Sequence, residues 1–112
     1  MKFIRIIKAN DLDVELLDYV YEGNIEGIKE VLKQGANINC SDENGNTPLL
    51  FAVASKDLEL VKLLVENKAD LDLSNNLGET PLMVAQDNEY KEIEEYLLGK
   101  GAGYNGDSFR TL

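Results

Sequence analysis

The sequence predicts an all-α fold: a solenoid of three stacked helix–turn–helix repeats, joined by hairpin loops and closed by polar end caps. Three observations predict it. Thr-Pro-Leu occurs at Thr47 and again at Thr80, 33 positions apart. On that period three rows align, with Leu16, Leu49 and Leu82 in one column, Val31, Leu64 and Leu97 in another, and Ala36, Ala69 and Ala102 in a third. A fixed period of this length marks repeats that bury a continuous core only by stacking. Finally, each row has the spacing of two short helices rather than of strands.

The elements follow in chain order. Residues 1–10 form an N-terminal extension in which Lys2, Arg5 and Lys8 share one side of a helix-like segment and Phe3, Ile4 and Ile7 the other. Its apolar side either packs on the first row, around Tyr19 and Gly27, or serves contact with a partner or a second copy; it is short for a membrane anchor. The repeat domain spans residues 11–105, with rows at about 11–41, 42–74 and 75–105. In the middle row Thr47 suits a helix N-cap and Pro48 the first helical position, where the missing N–H costs nothing. Leu49, Ala52 and Val53 then form an apolar stripe. Lys56-Asp57 ends that helix, and Leu58, Val61, Leu64 and Val65 line a second one that stops near Asn67-Lys68. From Ala69 to Glu79 the turn formers Ser74, Asn75, Asn76 and Gly78 mark a loop. In the preceding loop Asn44-Gly45 signals a tight turn. The glycines after Gly99 predict a frayed tail, and residues 106–112 lie beyond the repeats.

The rows differ in a way that orients them. Phe51, Leu60 and Leu63 keep apolar character as Val84, Ile93 and Tyr96 but become Asp18, Gly27 and Glu30 in the first row. Val53, Leu58 and Val61 keep it as Val20, Ile25 and Ile28 but become Gln86, Lys91 and Glu94 in the last. The first set is expected to face the previous repeat and the second the next, leaving polar faces at both ends as a three-repeat unit needs.

These residues resemble the ankyrin repeat family. The matching stretches are DENGNTPLLFA, LELVKLLVENKAD and LGETPLMVA, with GNIEGIKEVLKQGANIN supplying the later half of the first row. Together they cover about residues 12–105. Some positions depart from the family pattern. Leu17, Leu50 and Met83 stand where the family usually has histidine, and Lys56 and Glu89 where it favours the glycine kept at Gly23. Gly35 and Gly101 suit a left-handed helix cap, whereas Lys68 costs on the order of 1 kcal/mol there.

Composition narrows the function classes. The chain has 112 residues, a net charge of -10, one cysteine and no histidine. Ser-His and Cys-His nucleophiles are therefore excluded, no phosphate loop or dinucleotide motif occurs, and a zinc site lacks ligands. No cofactor, no metal and no catalytic residue are expected. The run Glu89, Glu92, Glu94 and Glu95 reads as a solvated helix face. Asp42 opens a superficially calcium-like run, but its glycine comes two places early and Val53 stands where the last ligand should be. Cys40 reads as a small packing residue. The first eight residues carry three basic groups and no acid, so the rest sets 21 acidic side chains against 8 basic ones. Such a body disfavours nucleic acid and would steer a basic partner. No export signal or membrane span is legible, which predicts a cytoplasmic location, and the chain is expected to be a monomer.

The resemblance implies a non-catalytic protein–protein binding module, an acidic inhibitor or adaptor that covers a basic partner surface. A structural, self-associating protein using the N-terminal segment is the alternative. The family binds through hairpin tips and the exposed side of the first helices. By position, these are Glu43, Asn44, Asn46, Asn76, Leu77 and Glu79 at the tips, and Tyr21, Glu22, Ala54, Ser55, Asp87 and Asn88 on the helices.

Overall fold

The computed structural model of the chain describes residues 9–103. The segment Met1–Lys8 and the tail from residue 106 lie outside the described residues. Among the described residues six helices follow in order: α1 (Ala9–Glu22), α2 (Ile25–Lys33), α3 (Pro48–Ala54), α4 (Leu58–Glu66), α5 (Pro81–Asp87) and α6 (Lys91–Gly99). α1 begins at Ala9, two residues ahead of the expected domain boundary. The helices form three pairs, α1 with α2, α3 with α4 and α5 with α6. The first helices stack as α1–α3–α5, and α6 packs on α4. No strand occurs among the described residues.

The repeat works at the level of the backbone. The Oγ1 of Thr47 accepts the Leu50 N–H, and that of Thr80 accepts the Met83 N–H, each at 3.2 Å. Both threonines are buried, and each cap satisfies a donor that the first turn leaves without a partner. Between paired helices the chain turns through positive φ at Gly23, Lys56 and Glu89 alike, at 72°, 59° and 59°. After the second helices it does so at Gly35, Lys68 and Gly101. The stack therefore imposes the left-handed turn whether or not the residue suits it. Asn24 and Asp57 cap the second helices by accepting N–H groups of Gly27 and Leu60. Tyr90 in the third row makes no such bond; instead Lys56 Nζ lies 5.5 Å from its ring centre.

The core is one continuous cluster. It includes Leu16, Leu49 and Leu82, Ile28, Leu60 and Val61, and Leu64 and Leu97. The two orienting sets fall as expected. Phe51 meets Tyr21 of the row before it, and Tyr96 lies beneath Lys62 of the row before it. Val53 and Val61, fully buried in the middle row, are replaced at the last row by Gln86 and Glu94. There the Gln86 Nε2 donates to the Glu94 Oε2 at 3.0 Å.

The first row closes differently. A Cβ placed on Gly27 would meet the Tyr19 ring at 2.7 Å, so the aromatic lies directly on that glycine. In the other rows the two columns hold Ala52 with Leu60 and Ala85 with Ile93. Row one exchanges small for large in both columns at once. Gly27, a candidate landing place for the N-terminal segment, is thus covered from within its own repeat.

The loops are tied together by side chains. Asp72 N–H donates to Asp70 Oδ1 and Asn39 N–H to Asn37 Oδ1, closing matched turns. Asn39 Oδ1 accepts the Asp70 N–H of the next row at 2.8 Å, and Asp72 Oδ1 accepts the Gly103 N–H at 2.9 Å. In row one the corresponding N–H, that of Asn37, goes to Asp13 of α1 at 2.7 Å. These bonds correct the expectation of fraying from Gly99: Ala102 and Gly103 are buried, and Gly101 makes the left-handed cap.

Candidate docking surface

The loop tips are built by acids and amides acting on their own backbone. Asp42 Oδ1 accepts N–H groups of Asn44 and Asn46, both at 2.9 Å, and Gly45 N–H closes the turn on Asp42 O. The carboxylate of the calcium-like run is therefore engaged within its own turn. Asn75, one period later, repeats the arrangement with Leu77 and Glu79. The tips also bond to each other. Asn76 N–H donates to Asn44 O and its Nδ2 to Glu43 O, while Asn75 Nδ2 reaches Asn46 Oδ1. Gly45 sits against Asn76 closely enough that a Cβ would meet its backbone nitrogen at 2.9 Å.

Where the tips meet the first helices, a shallow hollow of ≈ 240 Å³ opens between rows two and three. Asn46, Ala54, Glu79, Asp87 and Asn88 line it, bringing together five of the residues expected at the surface. Leu50, Asn75 and Val84 complete the lining and were not among them. Their signals were present: Leu50 fills the slot after the Thr-Pro-Leu triplet, and Asn75 aligns with Asp42.

The remaining expected residues are not part of its lining. Glu43, Asn44, Asn76 and Leu77 are exposed on the tips, and Tyr21 and Glu22 on the last turn of α1. Leu77 is 82% and Tyr21 79% exposed. The Tyr21 ring stands at 85° to that of Phe51 with 6.5 Å between centres, an edge-to-face pair. Some expected groups are partly occupied. The Ser55 hydroxyl donates to Phe51 O and the Asn88 Nδ2 to Val84 O, each on its own helix.

Other chemistry-bearing groups do not converge. Glu89 and Glu92 border a separate hollow with Lys56 and Lys91, and Glu94 is engaged with Gln86. Among the described residues no three acidic or cysteine side chains are placed to hold a metal ion. Cys40 is buried, with its thiol 3.7 Å from Asp13 O. Burial, aided by the Asp13 charge, pushes its pKa up to about 12, so it holds its proton and is a poor nucleophile. No helix of the described residues is long and apolar enough to cross a membrane.

Comparison with known families agrees with this geometry. A model of ankyrin repeats in three copies matches residues 16–107. A search of curated proteins finds no significant match.

Proposed function

This chain belongs to the ankyrin repeat family, and from that premise we propose that it is a non-catalytic binding module whose loop tips and first helices cover a basic surface on another protein. Ankyrin repeats generally mediate protein–protein interaction. The observation that carries the reading is the exposure of Tyr21 and Leu77, two large side chains on first-helix and loop-tip positions, together with an acid-bordered hollow between rows two and three. Exposed aromatic and apolar anchors inside a polar rim are the composition of an interface centre. The charge of -10 supports a basic partner by steering its approach. In this reading the chain acts as a monomeric inhibitor or adaptor in the cytoplasm, since both terminal rows end the apolar stacking face, the last with Gln86 and Glu94 and the first with Tyr19 over Gly27.

The test is affinity capture with the immobilised chain at low and high ionic strength, beside the Tyr21→Ala/Leu77→Ala double variant. A protein retained by the wild type, released by salt and lost with the double variant is expected. Retention that ignores both salt and the two substitutions would remove this surface from consideration. Light scattering across concentrations tests the monomer.

A further inference from the structure

We propose that the hollow between rows two and three seats a single arginine side chain of the partner, an inference that rests on this face being the docking surface. The two inter-repeat grooves on this face differ. In the first, the Tyr21 ring stands edge-on to that of Phe51. In the second, the aligned residues are Ala54 and Val84, and the space stays open. Its apolar lining is Leu50, Ala54 and Val84, suited to an alkyl stem.

The polar lining is rich in acceptors. Asn75 spends its Nδ2 on Asn46 Oδ1 and Glu79 Oε1, and Asn88 turns its Nδ2 to Val84 O. That leaves the second oxygen of Glu79, the side-chain oxygen of Asn88 and the whole carboxylate of Asp87 without partners among the described residues. No basic side chain among the described residues lines the hollow. A group with several donors, no acceptor, a positive charge and weak hydration fits this set, and a guanidinium is that group. An ammonium matches the charge but is the more strongly hydrated head group.

The test uses amide NMR of the full chain at low salt, titrated with N-acetyl-arginine amide and with its citrulline and lysine counterparts. Saturable shifts confined to Leu50, Ala54, Glu79, Val84, Asp87 and Asn88 are expected for arginine. Citrulline, the neutral near-isostere, should bind at least tenfold more weakly, and lysine severalfold more weakly. Ala54→Tyr, which installs the residue row one carries at that position, and Asp87→Asn should each weaken arginine at least tenfold while leaving the rest of the spectrum in place. Both sites are exposed, so the fold survives the changes. Shifts spread evenly over the acidic surface, equal binding of citrulline or lysine, or an Ala54→Tyr variant that binds like wild type would overturn the proposal. Protein capture that persists in Ala54→Tyr but fails in Tyr21→Ala/Leu77→Ala would sink the arginine seat and spare the docking surface.

Discussion

The first and last rows both end the apolar stack, and they do it by opposite means. The last row exchanges valines for polar groups that bond each other, Gln86 to Glu94. The first row exchanges volumes: Tyr19 takes the space that Leu60 and Ile93 occupy in the other rows, and Gly27 makes room for it. The polar solution changes what the end face presents to water. The volume solution leaves an aromatic surface in place but ties it to its own repeat, so it has less to offer a neighbour. A terminal repeat can thus be made by chemistry or by shape.

The largest expected effect breaks the shape solution. Gly27→Leu drives a side chain into the Tyr19 ring, and such overpacking costs about 1–3 kcal/mol in urea unfolding. Tyr19→Ala added to it restores the pattern of rows two and three and should recover most of that loss, giving a strong coupling in a double-mutant cycle. The double variant also presents a leucine face, so light scattering should show more self-association than for the parent.

The next test removes the bond by which row one supplies its own loop. Asp13→Ala frees the Asn37 N–H and should cost on the order of 1 kcal/mol, with faster hydrogen exchange at Asn37. Asn39→Ala at the neutral rung of row two should cost less. Of similar size and opposite sign, Lys68→Gly relieves a left-handed φ of 78° and should gain up to about 1 kcal/mol, a few degrees in Tm. Lys56→Gly should gain less, because it also removes the charge above the Tyr90 ring.

The polar end gives the smallest change in stability. Gln86→Val with Glu94→Val should change the free energy of urea unfolding by about 0.5 kcal/mol or less, yet promote association through the restored apolar face. Cys40 adds a pH signature. Its folded pKa is raised above that of the unfolded thiol, so the stability it contributes is full below about pH 9 and lost as pH rises toward 12. Comparing wild type with Cys40→Ala by urea unfolding between pH 8 and 11 should isolate a fall that the variant lacks.

Much of this was legible in the sequence, for physical reasons. The period and both end faces could be read because burial acts on one position at a time, and a column that turns from Leu60 to Gly27 or from Val61 to Glu94 reports its surroundings directly. That Tyr19 covers Gly27 was less legible, since it needs two columns read together. The same holds for the hollow, which depends on Ala54 and Val84 being small where Tyr21 and Phe51 are large. The loop bonds were hidden more deeply. They join residues in different rows, such as Asn39 and Asp70, and polar pairing leaves no apolar rhythm to detect. Reading Gly101 and Gly103 as loose failed for this reason: Asp72 holds Gly103 from 31 positions away.

Those loop bonds also run one way. Gly103 leans on row two, Asp70 leans on row one, and Asn37 leans on its own helix through Asp13. Rows two and three each borrow from the row before them, while row one supplies itself. Peeling the stack from its far end leaves every remaining loop with its acceptor, whereas loosening row one takes the acceptor from row two. The molecule therefore has a direction of dependence: damage near α1 should travel, and damage near α6 should stay where it is.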